Sequence, residues 1–129
     1  MNKRRTYSAF ALVFILLASQ QAFAQTRIRF SRGGTSAVVR GKVKGFGIRD
    51  YVVSARAGQT MTVRLSSSNQ YLNFVIYSIN GRPTDMTETT EWSEKLMESG
   101  DYVIRVLMMR AGARRRGASA SYSLNVSVQ

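Results

Sequence analysis

From Arg27 onward, apolar residues recur at every second position, the pattern of strands that turn one face to a core. Arg27-Ile28-Arg29-Phe30 opens the alternation, and Gly33-Gly34 turns the chain. A basic, β-branched strand is expected over residues 36–44, with a bulge at Gly41, since glycine inside a strand often marks one. Gly45-Phe46-Gly47 turns the chain again. A strand over 48–57 then puts Tyr51, Val53 and Ala55 on one face. Gly58 leads into a strand over 60–66, with Met61, Val63 and Leu65 inward and Thr62, Arg64 and Ser66 outward. The two alternating arms around a glycine read as a β-hairpin.

Residues 71–79 are apolar on both faces, with Leu72, Phe74 and Ile76 on one and Val75, Tyr77 and Ile79 on the other. That predicts a central strand covered twice. Asn80-Gly81 is a turn signal, and Pro83 keeps the next residues out of a central strand. A short strand is expected around 92–97, near Trp92. Another over 102–109 turns Tyr102, Ile104 and Val106 inward. The last places Tyr122, Leu124, Val126 and Val128 against the core, and Ser121, Ser123, Asn125 and Ser127 in water. About eight strands at this spacing, with no helical stripe between them, predict a single all-β domain, an antiparallel sandwich or barrel.

The first 24 residues lie outside this pattern. Lys3-Arg4-Arg5 precedes ten unbroken apolar residues, 9–18, and Ala22-Phe23-Ala24 supplies small residues at a cleavage site, so residues 1–24 read as a signal peptide. The apolar run falls short of the roughly 20 residues that span a bilayer, and no transmembrane anchor is expected. The domain is then residues 25–129, and its destination is the periplasm or secretion from a bacterial cell. The absence of cysteine in an exported chain fits that compartment better than a disulfide-rich eukaryotic one.

Cleavage removes three cations, which leaves 16 Lys+Arg against 7 Asp+Glu, a net charge of +9. Such a field favours an acidic partner or a polyanion. Nucleic acid is not expected, because the chain is exported and its aromatics do not interleave with the basic residues on one sheet face.

With neither His nor Cys, the chain lacks the residues of the common nucleophile–base triads and of His- or Cys-ligated metal sites. Glu88, Glu91, Glu94 and Glu98 read as a solvated face and not as the carboxylate pair of a glycosidase. Asp85 and Glu88 lack the spacing of a calcium loop. No enzyme, cofactor or metal is expected.

One stretch stands out chemically. Arg110, Arg114, Arg115 and Arg116 are separated only by Ala111-Gly112-Ala113, and four guanidiniums at close quarters repel one another unless a partner supplies acids. Arginine suits bidentate contact with carboxylates. The small residues suggest a thin loop able to enter a cleft.

Several segments together resemble the periplasmic inhibitors of goose-type (g-type) lysozyme. They are Phe30-Ser31-Arg32-Gly33, Thr35-Ser36-Ala37, Gly41-Lys42-Val43-Lys44-Gly45, Ala55-Arg56-Ala57-Gly58-Gln59, Ser99-Gly100-Asp101-Tyr102, Arg105-Val106-Leu107, and Arg110 with Ala113-Arg114-Arg115. The resemblance covers nearly all of the domain. It implies a β-sandwich whose partner is a g-type lysozyme. The inhibitory contacts would centre on Arg110, Arg114 and Arg115, near the turn made by Ser99, Gly100 and Tyr102. The chain departs from the family's pattern at Ala111, where Asn is usual after the first loop arginine. The chain also resembles pre-peptidase C-terminal modules. That likeness implies the alternative of a non-enzymatic envelope module binding anionic glycan or lipid phosphate.

Overall fold

The computed structural model describes residues 25–78 and 88–129. Residues 1–24, expected to be a signal peptide, and Asn80-Gly81, expected to be a turn, lie outside the described residues, as do Ile79, Pro83 and Asp85. Among those described, no helix is long and apolar enough to cross a membrane.

Two four-stranded sheets face one another. Their elements are β1 (Thr26–Arg27), β2 (Ser36–Lys44), β3 (Ile48–Ala55), β4 (Thr60–Ser67), β5 (Leu72–Tyr77), β6 (Glu91–Lys95), β7 (Gly100–Met108), a one-turn helix α1 (Arg110–Ala113), and β8 (Ser119–Val128). The first sheet has the order β1-β3-β7-β5 and the second β2-β8-β4-β6. All pairings are antiparallel except β1 on β3, which is parallel and two residues long. The expected all-β sandwich of about eight strands is therefore the fold. Its one parallel pair and its helical turn depart from the purely antiparallel, helix-free reading.

The inward-facing positions follow the alternation. Val53, Met61, Val63, Phe74, Ile104, Val106, Leu124 and Val126 are fully buried and form the centre of the core. Strand partners follow a different logic. Odd-numbered strands build the first sheet and even-numbered strands the second, so the chain changes sheet at every connection. The segment around Gly58 is consequently no hairpin: β3 pairs with β7, and β4 with β8 and β6. Gly58 does supply a positive φ of 88°, but in an arch from one sheet to the other. Alternation records which face of a strand meets the core, and both arms of an arch satisfy it as well as both arms of a hairpin.

The strand expected at the centre of a sheet, β5, lies at an edge, paired on one side with β7. Among the described residues its free side meets a local bridge, in which the backbones of Phe74 and Thr89 exchange hydrogen bonds of 2.9 and 3.2 Å. Its outward residues Val75 and Tyr77 are half-buried, and the Arg105 guanidinium lies 5.2 Å from the Tyr77 ring. Arg105 is held there by two 2.9 Å hydrogen bonds to the buried carboxylate of Asp50. Apolar residues on both faces thus reflect a covered outer face, not two neighbouring strands.

Gly41 is not a bulge, since β2 and β8 stay in register from Ser36 opposite Ser127 to Lys44 opposite Ser119. A side chain at Gly41 would run into the buried Tyr122 ring, its Cβ 2.7 Å from Cζ. The glycine makes room for the hydrogen bond between the Tyr51 and Tyr122 hydroxyls, which joins the two sheets through the core.

A second ion pair ties β1 to β7. Arg27 grips Asp101 through both carboxylate oxygens, at 3.1 and 2.9 Å, and Ser54 adds a 2.7 Å hydrogen bond. These donors, Arg27 first, lower the Asp101 carboxyl to about 2. A carboxylate held below its ordinary value stabilises the fold above that ordinary value, and the contribution disappears as pH falls through the lowered one. The stability deficit of Asp101→Asn is expected to be small, because the pair is about half exposed. In thermal melts it should be present near pH 7 and gone by about pH 2. A deficit that persists at the acid end would exclude the ion pair as its cause.

Candidate functional site

Three connections meet at one end of the sandwich: β2–β3, β4–β5 and β7–β8. The third carries the arginines. Its first turn is helical, with the Ala113 N–H donating to the Met109 carbonyl at 2.9 Å and the Arg114 N–H to the Arg110 carbonyl at 3.1 Å. One turn of helix sorts the side chains by direction, because successive residues step by about 100° and positions four apart share a face. Gly112 and Ala113 turn inward and are buried, while Arg110, Ala111 and Arg114 turn outward and are exposed.

The inward side has no room to spare. A Cβ on Gly112 would lie 2.5 Å from Cβ and Cγ of Tyr71. The Met109 N–H donates to the Tyr71 carbonyl at 2.7 Å, which seats the turn on the start of β5. The small residues of this segment are therefore packing residues. They let the helical turn lie flat on the end of the sandwich and do not make a thin free finger.

The arginines divide accordingly. Arg115 folds back over Tyr71, with its guanidinium carbon 4.8 Å from the ring centre and Nη2 donating to the Tyr71 hydroxyl at 2.7 Å. Arg110 and Arg114 project from the outer face of the turn, and Arg116 follows them into solvent. Among the described residues the ion pairs are Arg27–Asp101 and Arg105–Asp50, so none of these four cations is matched by a carboxylate.

The β2–β3 turn stands beside this arrangement, fastened by a 2.9 Å hydrogen bond from the Gly45 N–H to the Ala118 carbonyl. Its tip carries Phe46, which is 67% exposed, more than any other aromatic side chain described. The end therefore offers two free guanidiniums on the outer face of the turn, a third at Arg116, a fourth docked on a tyrosine, and one uncovered aromatic ring. An acidic surface with an apolar recess would complement it.

Ser99, Gly100 and Tyr102 are not part of this end. They begin β7, whereas α1 follows its last residue, and eight residue steps of strand separate the two by about 26 Å. The Ser99 hydroxyl accepts a 2.8 Å hydrogen bond from the Ala57 N–H. Tyr102 is buried and donates to the Glu98 carbonyl at 2.6 Å, and burial raises its pKa. The trio ties the β6–β7 and β3–β4 arches together. The expectation that they adjoin the arginines is corrected by the direction of β7.

Tyr71 and Phe46 belong to the site, although periodicity assigns one to a strand and the other to a turn. Nothing local in the sequence joins them to residues 110–116. The four glutamates Glu88, Glu91, Glu94 and Glu98 are all exposed. Among the described residues no group of three or more His, Cys, Asp or Glu is placed to hold a metal ion.

No protein-family model and no curated protein matches the chain. Solved structures do. The chain is similar to PliG of Aeromonas hydrophila, a periplasmic inhibitor of g-type lysozyme, at 33% identity and a TM-score of 0.74, over 82% of this chain and 96% of that one. It is similar to the Salmonella Typhimurium PliG at 26% identity and a TM-score of 0.64, over 81% and 97% of the two chains. It shares the fold alone with the pre-peptidase C-terminal domain of a Bacillus anthracis collagenase, at 10% identity and a TM-score of 0.54, over 82% and 95%.

Proposed function

The chain belongs to the family of periplasmic inhibitors of g-type lysozyme, and we propose that it is itself a non-enzymatic inhibitor of a g-type lysozyme, working in the periplasm by placing Arg110 and Arg114 against the acidic cleft of that enzyme. The observation that carries the mechanism is the helical turn, which sets two unpaired guanidiniums on one face with a buried, rigid back behind them. A muramidase cleft holds a catalytic carboxylate, and a guanidinium pairs with a carboxylate through two parallel hydrogen bonds. Because the turn is already packed on Tyr71, little loop entropy remains to be lost on binding.

Each arginine has its own part. Arg110 and Arg114 make the ionic contact. Arg115 stiffens the turn from within, its guanidinium held by the Tyr71 ring and hydroxyl. Phe46 supplies the apolar contact that charged pairs lack, of the kind that dominates protein interfaces. Ser99, Gly100 and Tyr102 support the scaffold at its other end.

The exported form of the protein is expected to suppress lysis of peptidoglycan by a g-type lysozyme and to leave a chicken-type lysozyme unaffected. Turbidity assays with both enzymes decide the matter. Equal inhibition of both, or of neither, refutes the proposal.

A further inference from the structure

A second basic feature lies at the base of the β2–β3 connection, next to the end that carries the arginine turn. A cleft of about 410 Å³ is lined there by Lys42, Val43, Lys44, Gly47, Ile48 and Arg49. Three of the six are cations, all exposed, and none is ion-paired among the described residues. Lysines on an edge strand such as β2 discourage pairing with a second chain. That role does not call for Arg49, which comes from the other sheet and whose Nε donates to the Lys42 carbonyl at 3.3 Å. The hydrogen bond holds the third charge beside the first.

Three like charges converging on one concavity raise its positive potential well above that of a flat surface. The mixture of one guanidinium fork and two mobile ammonium groups suits the tetrahedral oxygens of a phosphate better than a single planar carboxylate. The wall is not uniformly polar, since the half-buried Ile48 contributes to it. The volume falls in the range of small-ligand sites and exceeds what one inorganic ion fills.

We propose that this cleft binds a phosphate ester, with the phosphate on Lys42, Lys44 and Arg49 and a short glycerol or acyl stem along Ile48. The cleft flanks the turn that carries Phe46, but its phosphate chemistry does not rest on lysozyme inhibition.

The test uses the exported protein and two equal-charge variants. One carries Lys42→Gln, Lys44→Gln and Arg49→Gln, and the other Arg110→Gln, Arg114→Gln and Arg116→Gln. Two probes are applied: glycerol 1-phosphate, followed through backbone amide shifts, and phosphatidylglycerol vesicles, followed by co-sedimentation. Glycerol 1-phosphate is expected to move the Gly47 and Ile48 amides of the unmodified chain and of the turn variant, but not those of the cleft variant.

With vesicles, the loss is expected to be about fivefold per cation, on the order of 100-fold for the cleft variant and under tenfold for the turn variant. Vesicle binding with this pattern identifies a lipid headgroup as the source of the phosphate. Amide shifts without vesicle binding identify a soluble ester. Equal losses in the two variants, or no shift at Gly47 and Ile48 with either probe, overturn the proposal.

Discussion

Replacing Arg110 and Arg114 together with alanine is expected to weaken inhibition of a g-type lysozyme on the order of 100-fold or more, with the fold unchanged. Truncating one partner of a buried, hydrogen-bonded charge pair costs about 2–5 kcal/mol, much of it because the opposite charge is left desolvated and alone. Tenfold in affinity corresponds to about 1.4 kcal/mol, so even the lower bound for a single pair exceeds a factor of ten. Stability should not fall, because both side chains are exposed and unpaired in the free protein. Relief of repulsion among four neighbouring arginines acts in the same direction.

The matched control removes the same charge elsewhere. Arg29 and Arg56 are also exposed but lie outside the turn, and their double alanine variant should change inhibition only by the few-fold that long-range steering contributes. Inhibition constants measured for the two double variants separate a local contact from a general effect of net charge. If Arg110→Ala with Arg114→Ala still inhibits fully, or if the control loses as much, the cleft contact is wrong.

The largest stability effect is expected on β5. Phe74 is fully buried between the sheets, and truncation of a buried phenylalanine to alanine costs about 3–5 kcal/mol. In a domain of this size each kcal/mol moves Tm by about 4–8 °C, so Phe74→Ala should lower Tm by roughly 12–40 °C. Its neighbour Val75 points to the outer face and is half-buried, and Val75→Ala should cost about 1 kcal/mol or less. Thermal melts of the pair test the position of β5 directly. Comparable losses at both residues would mean that the outer face is as deeply covered as the core face, as a central strand with a second covering layer requires.

Much of the chemistry was legible before any coordinates. An amphipathic strand shows its core face in its own residues, which is why Met61, Val63, Leu65, Ile104, Val106, Leu124 and Val126 could be placed inward from their spacing. The arginine cluster was equally visible, because charge is a property of single residues. The resemblance to lysozyme inhibitors drew on the order of several short segments, and similarity to solved inhibitors bears it out.

The site's geometry was not legible. Arg110 and Arg114 share a face only because the backbone between them closes one helical turn, and it closes there because Gly112 and Ala113 fit beneath it against Tyr71. Residues 110–113 are too few to display a helical period, and their partner lies some forty positions earlier in the chain. Arg115 looks like its neighbours in sequence and differs from them in space, because the Tyr71 ring and hydroxyl capture it. Ser99 and Tyr102 precede the arginines closely in the chain, yet a straight strand carries the two groups to opposite ends of the molecule.

By itself the sequence determined the number and character of the strands, which of their faces are buried, the absence of His and Cys chemistry, and the concentration of positive charge in residues 110–116. Each of these is carried by residues within one segment. Tertiary structure alone decided that every connection crosses between sheets, that β5 is an edge strand, and that the arginine segment lies flat as a turn of helix with Arg110 and Arg114 on its outer face and Arg115 docked on Tyr71. The physical reason is that burial needs only an apolar face. Pairing and packing depend on a second surface, and that surface comes from a distant part of the chain.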